Sequence, residues 1–251
     1  MAVAIGVAGV GVLAGCGWGI ATSSYTDDKG IDAAFTSVRF ANDSGDMTIR
    51  AGDEASVHRT VHHGGDKPGG DTFRVRDGVL ELDSCGEPQC WIDYEVTVPA
   101  GTTVSGQLDS GTTTVSGVAE VNVRASSGEV TVEDVAGAVN IEAESGSVNL
   151  SDIGGAVVAK AESGNVHADD VRGDVTLQAS SGNVGVELAA ARDVRVKAES
   201  GNVEVAVPDG AYQVTADTDS GDVESDVTDD AAGDHHLDLH TDSGNITVTR
   251  A

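Results

Sequence analysis

Residues 139–155 read VNIEAESGSVNLSDIGG, and residues 157–173 read VVAKAESGNVHADDVRG. In the first unit Val139, Ile141 and Ala143 alternate with Asn140, Glu142 and Glu144. Side chains that change sides with a period of two define a strand buried on one face. Ser145-Gly146 turns the chain, Val148, Leu150 and Ile153 return to the same interior, and Gly155 allows the next corner. Glycine at fixed places marks corners from which a Cβ is excluded.

The unit recurs. Ser-Gly stands at Ser110, Ser127, Ser145, Ser163, Ser181, Ser200, Ser220 and Ser243, at intervals of 17, 18, 18, 18, 19, 20 and 23 residues. A constant internal period is the signature of stacked supersecondary units. If one unit is one turn of a coil, like residues stack about 4.8 Å apart. The expected ladders are Val121, Val139, Val157, Val175, Val194; then Val123, Ile141, Ala159, Leu177, Val196; then Ala125, Ala143, Ala161, Ala179, Ala198. The fold class read from this is all-β, a parallel β-solenoid with coils of about 18 residues and two or three strands per coil. A sandwich of hairpins is the alternative, because turns every 8–12 residues also mark that class. Each coil buries few aliphatics, so stability has to come from stacking on neighbours.

Ser127, Ser145, Ser163, Ser181 and Ser200 are expected to face inward and satisfy the corner backbone. Serines in repeated identical settings are not nucleophiles, and the sequence has no GxSxG elbow. One expected outward column runs Arg124, Glu142, Lys160, Gln178, Lys197, placing opposite charges above one another. The next runs Ser126, Glu144, Glu162, Ser180, Glu199 and stacks like charges.

Outside residues 101–251, which hold the regular repeats, the pattern loosens. Residues 31–100 read as an N-terminal β cap of irregular coils: FTSVRFANDSGDMTIRAG and FRVRDGVLELDS alternate as strands, with VHRTVHHGGDKPGGD as a polar loop between them. Caps are expected because bare solenoid ends expose strand edges. Towards the C-terminus DVTDDAAGDHHLD lengthens the last interval as an acidic loop.

Residues 1–15, MAVAIGVAGVGVLAG, carry no charge and fit the apolar part of a secretory signal, being short of the roughly 20 residues that span a bilayer. Leu13-Ala14-Gly15-Cys16 resembles a lipobox, which makes Cys16 the lipidation site and residues 16–30 a tether. No Lys or Arg precedes the apolar run, so the signal reads as truncated or weak. Cys85 and Cys90 remain, four residues apart around Gly-Glu-Pro-Gln, a spacing suited to a disulfide and unlike a redox CxxC pair. Export to an oxidising compartment agrees with such a bridge.

The chain has a formal charge of -28, with Asp outnumbering Glu 28 to 14 and Lys present only 4 times. That excludes nucleic-acid binding through phosphates and bare docking on anionic lipid. The Asp-rich balance fits either salt adaptation, where counterions screen the repulsion, or an ordinary acidic extracellular protein. His58, His62, His63 and His235, His236, His240 are two histidine groups read as lying in loops, and neither is assigned a metal. Weak calcium binding is conceivable at Asp219-Ser220-Gly221-Asp222, although the regular GGxGxD turns of calcium solenoids are missing. No cofactor is expected. Sugar platforms usually need aromatics, which make up only 3% of the chain.

Leading strands, a cysteine pair before WIDYEVTVP, then DSGTTTVSG and repeated SGxV units resemble the "putative adhesin" family, domain of unknown function 4097. The resemblance spans roughly residues 33–250. It implies a secreted or membrane-anchored β-solenoid and transfers no catalytic residue. The reading is therefore a non-enzymatic, envelope-anchored interaction protein, lipid-anchored outside the cytoplasm, with a surface protein or glycan as partner. The competing class is a β-helix enzyme acting on a polysaccharide along the solenoid flank.

Overall fold

The computed structural model describes residues 22–251. The described residues form 23 strands in two sheets. The N-terminal region holds β1 (Ser23–Gly30), β2 (Ser37–Ser44), β3 (Met47–Ala51), β4 (Ser56–His63), β5 (Phe73–Arg76), β6 (Val79–Asp83) and β7 (Cys90–Val98). Strand pairs then follow: β8 (Thr103–Ser110) with β9 (Thr113–Ser116), β10 (Glu120–Ser127) with β11 (Val130–Val135), and β12 (Val139–Ser145) with β13 (Val148–Ile153). Next are β14 (Val157–Ser163) with β15 (Val166–Val171), β16 (Val175–Ser181) with β17 (Val184–Leu188), and β18 (Val194–Ser200) with β19 (Val203–Val207). The last pairs are β20 (Tyr212–Ser220) with β21 (Val223–Ser225), and β22 (His235–Ser243) with β23 (Ile246–Arg250).

Each coil gives one strand to each sheet, so a coil has two strands. The 11-stranded sheet runs β20-β22-β18-β16-β14-β12-β10-β8-β2-β6-β5, parallel except for β5. The 12-stranded sheet runs β1-β4-β7-β3-β9-β11-β13-β15-β17-β19-β23-β21, with β1 and β4 antiparallel at one end. This is the parallel β-solenoid that the repeat implies.

The three inward ladders stand in register. Val121 pairs with Val139, Val139 with Val157, Val157 with Val175 and Val175 with Val194; the Ile141 and Ala143 columns run beside them. All fifteen residues are buried. The core is a thin layer of Val, Ala, Leu and Ile between the sheets, and size is matched along a column. Phe40 follows Gly106 in the Val123 ladder, and a Cβ on Gly106 would lie 2.3 Å from the Phe40 ring.

The corner after each Ser is a stack of glycines at positive φ, among them Gly128, Gly146, Gly164 and Gly182. Gly146 N donates to Ser163 O and Gly164 N to Ser181 O, both at 2.9 Å. One residue on, a side-chain ladder runs parallel to it. Asn183 N donates to Asn165 Oδ1 (2.9 Å), Asn202 N to Asn183 Oδ1 (3.0 Å) and Asn245 N to Asn202 Oδ1 (2.9 Å).

Several expectations are corrected. The serines of the SG motif face solvent. The register passes from the Ala125–Ala143 pair directly to Ser127–Ser145, skipping Ser126 and Glu144, so the chain kinks and the alternation shifts. The serine carbonyls, not the hydroxyls, meet the neighbouring coil. VHRTVHH is not a loop but most of β4, paired with β1 and β7, with Val57, Arg59, Val61 and His63 turned inward. Ser23–Gly30, within the stretch read as a tether, is β1. The final coils are also out of chain order: β22 and β23 stack on β18 and β19, and β20 and β21 lie outside them. Ser200 therefore neighbours Ser243, and Ser243 neighbours Ser220. The N-terminal end repeats the device, since β2 and β3 sit between the β6/β7 and β8/β9 coils.

Candidate functional site

The strand register makes the outer face of the 11-stranded sheet a set of straight columns. Arg124, Glu142, Lys160, Gln178 and Lys197 stand one above another, as the repeat implies, and His240 and Asp217 extend the column. Arg124 Nε donates to Glu142 Oε2 at 2.6 Å. That guanidinium holds the Glu142 carboxyl below its ordinary value. Lys160 Nζ lies 3.9 Å from Glu162 Oε1, so a lysine beside the acidic column offsets its stacked charge. Both side chains of the Arg124–Glu142 pair are more than half exposed, and such pairs contribute little to stability. They leave a surface patterned with both signs.

A concavity of about 610 Å³ opens on the same face near the C-terminal coils. Asp174, Asp193, Arg195, His236 and Asp238 line it, drawn from β18, β22 and the turns before β16 and β18. Arg195 Nε donates to Asp238 Oδ2 at 3.0 Å, and His236 N donates to Asp193 Oδ1 at 2.9 Å. The lining is a hydrogen-bonding surface without an aromatic floor. A groove of this kind can hold a polar chain and has no apolar slot for a small hydrophobic ligand.

The histidine groups do not converge. In β4 successive residues alternate faces, so His62 and His63 point apart. His62 stacks on Trp91 with centroids 4.8 Å apart, and its Nε2 lies 2.9 Å from Asp93 Oδ2. His58 Nδ1 contacts Asp28, and His63 Nδ1 bonds Gly65 O at 2.9 Å. His235, His236 and His240 lie on strand β22, not in a loop. His240 is held on both ring nitrogens by Asp217 and Asp242, which leaves neither for a substrate hydroxyl. Contact with Asp217 raises its pKa. Among the described residues no group of three His, Cys, Asp or Glu side chains is placed to hold a metal ion. Asp222 is used in its own corner, its N donating to Asn245 Oδ1 at 3.0 Å.

Sequence reading passed over one acidic feature. Asp134, Asp152 and Asp170 all adopt positive φ at the same corner of three successive coils. The neighbouring Asp170 carboxyl raises the pKa of Asp152, and Arg172 Nη2 lies 3.2 Å from Asp170 and 3.8 Å from Asp152. The available signal was the recurrence of Asp at 18-residue spacing in EDV, SDI and DDV. Aspartate is one of the few residues that tolerates this backbone region.

Cys85, in the turn after β6, and Cys90, the first residue of β7, are joined by a disulfide with Cα atoms 6.1 Å apart. Cys16 and residues 1–15 lie outside the described residues. No helix among the described residues is long and apolar enough to cross a membrane.

Comparison with solved structures gives matches at low identity. A "putative adhesin" from Bacteroides fragilis matches with a TM-score of 0.54 and 13% identity, over 91% of this chain and 97% of the other. A "putative cell adhesion protein" from Clostridium sporogenes matches with a TM-score of 0.29 and 12% identity, over 91% of this chain and 100% of that one. A "putative adhesin" from Parabacteroides merdae gives 0.29 and 11%, over 91% and 96%. No curated protein matches the sequence. The family model described as Toastrack DUF4097 matches residues 35–249, a span that runs from just before β2 into β23, and the chain belongs to the Toastrack DUF4097 family.

Proposed function

We propose that the protein is a non-enzymatic interaction protein of the cell envelope, anchored through lipid on Cys16, which presents the outer face of its 11-stranded sheet to a surface protein or glycan. The observation that carries this reading is the unbroken outward column Arg124–Glu142–Lys160–Gln178–Lys197 across successive coils. An extended, repetitive, two-signed surface suits recognition of an extended partner at many equivalent points, as in other solenoids. The lipobox-like Leu13-Ala14-Gly15-Cys16 and the Cys85–Cys90 bridge support an oxidising location outside the cytoplasm. The adhesin name borne by the Bacteroides fragilis protein agrees with the same role.

Two measurements test it. Cys16→Ser should release the protein from membranes, and unchanged membrane retention contradicts the anchor. The full chain should capture a defined partner from intact cell envelopes, and Arg124→Glu combined with Lys160→Glu and Lys197→Glu should abolish that capture while the chain keeps the circular dichroism of the fold. Capture that survives the triple reversal removes the outer face from the binding role.

A further inference from the structure

The two ends of the solenoid are finished differently. At the N-terminal end of the 11-stranded sheet the edge is β5, four residues reading FRVR. At the other end the edge is β20, nine residues long. The turn after β21 covers only its start: Asp230 N donates to Tyr212 O, and Val214 N donates to Asp229 Oδ1, both at 2.9 Å. Those two groups point off the sheet, so by alternation the N–H groups of Ala216 and Thr218 do so as well. Among the described residues no strand pairs with β20 on that side. The end of the core is open there too, since Val214 and Ala216 are only partly buried against it.

We propose that this open edge takes the β5 edge of a second copy, head to tail. Direction, side chains and charge each favour that occupant. The sheet is parallel from β20 through β6, whereas β5 is antiparallel to β6, so a second copy in the same orientation brings β5 antiparallel to β20. Phe73 and Val75 of β5 face the core side, as Val214 and Ala216 of β20 do. Arg74 and Arg76 stand exposed on the outer face of β5, and Asp217 and Asp219 on that of β20. The four residues of β5 fit within the uncovered stretch from Thr215 to Ser220, so the second copy sits offset towards that corner, as it must because β1 stands one strand farther out than β5 and would otherwise lie on β21. Pairing of two β20 edges instead would set aspartates against aspartates, which is destabilising. A head-to-tail contact is heterologous and does not close, so it generates a linear series of copies.

The test is sedimentation of the full chain over a concentration series at about 0.15 M and about 1 M salt, because screening is needed to bring chains of charge -28 together. The mean mass should rise with concentration beyond that of a dimer. Arg76→Glu and Asp217→Arg should each sediment as monomer while keeping the wild-type circular dichroism and a cooperative melt, lowered for Asp217→Arg by the lost contact with His240. Their equimolar mixture should grow again, because every head then meets a tail of opposite charge. Ala216→Pro, which removes one edge donor that β22 does not use, should also stay monomeric. A wild-type chain that is monomeric throughout overturns the proposal. So does association that persists in the single variants, or a mixture that stays monomeric.

Discussion

Gly164→Ala probes the corner stack directly. Gly164 has φ +132°, a region that residues with a side chain rarely adopt. A Cβ there would lie 2.0 Å from Gly146 O and 2.6 Å from Gly146 C. Both are backbone atoms of the coil below, held by the bond from Gly146 N to Ser163 O. No side chain can swing away to relieve the contact. Forcing the backbone conformation costs about 1–3 kcal/mol. Pressing an extra carbon into a packed position costs a further 1–3 kcal/mol, roughly. The expected loss is therefore about 2–6 kcal/mol. For a domain of this size that lowers the melting temperature by at least about 4 °C, at some 2–4 °C per kcal/mol. Ser163→Ala, one residue earlier and exposed, is the control and should fall within about 0.5 kcal/mol of wild type. Thermal melts of the two variants at matched ionic strength decide the matter. If Gly164→Ala melts within about 1 °C of Ser163→Ala, the glycine column is not a steric necessity and the close stacking of coils at this corner is wrong.

Three further outcomes are expected. Ile141→Asp puts a carboxylate on a fully buried ladder between Val123 and Ala159 and should destabilise strongly, whereas Glu142→Gln, at an exposed position, should leave the melt close to wild type; equal melting temperatures would reject the assigned inward face. Asp217 and Asp242 raise the His240 pKa, so its stabilising contribution is complete below the unfolded value of about 6.5 and disappears as pH rises through the folded value. NMR titration should place the His240 midpoint above that of Asp217→Asn, and coincident midpoints would dismiss the pairing. Deleting residues 235–251 removes β22 and β23, the sole strand partners of β20 and β21 among the described residues, so residues 212–225 should lose hydrogen-exchange protection while β12 to β15 keep theirs; retained protection over 212–225 would contradict the observed strand order.

The middle of the molecule was legible because every local signal there agrees. Val139, Ile141 and Ala143 alternate strictly with polar residues, Gly146 falls at a fixed offset, and the next unit repeats both, so period, register and inward face follow together. The misplaced serines show the limit of extrapolating a period. Alternation from Ala143 puts Ser145 inside, but the kink before a glycine at φ +130° turns it out, and sequence carries no separate mark of that kink. Strand β4 was hidden for a different reason. Its inward face includes Arg59 and His63, so the hydrophobic alternation is broken by charge. Arg59 is tolerated inside because Thr72 and Asp27 accept its hydrogen bonds and Phe73 lies 5.2 Å beneath it, none of which is near it in sequence. β1 likewise has a strand's geometry without a strand's composition, since it is ordered by pairing along the whole of β4. Among candidate site residues, the Arg124–Lys197 column followed from the repeat, whereas the concavity around Arg195 depends on which coil stacks on β18.

That dependence exposes what a repetitive sequence does not encode. The last corners offer the same serine carbonyl to a neighbouring glycine N–H and carry Asn202, Asp222 and Asn245 after the glycine, so Ser200 would accept either Ser220 or Ser243 as neighbour with similar local chemistry. The choice is made by the residues that break the repeat. β22 supplies Leu237 and Leu239 to continue the Val194 and Val196 ladders, both fully buried. β20 supplies Val214 and Ala216 at those positions, and neither is fully buried. The longer aliphatic pair therefore takes the inner place and the pair of shorter side chains the outer one, where Tyr212 and Val227 are buried at the core end. The N-terminal end follows the same logic: Val38 and Phe40 of β2 are enclosed between coils, and Tyr94 of β7, its hydroxyl driven to about 12 by burial, closes the outer coil through a bond to Thr72 Oγ1 at 2.6 Å. Tucking the β2/β3 and β22/β23 coils inside places each between two neighbours, where the pairing energy of two coils opposes fraying. The surface carrying the outward columns is thus held at both ends, and the edge left open at β20 follows from that arrangement.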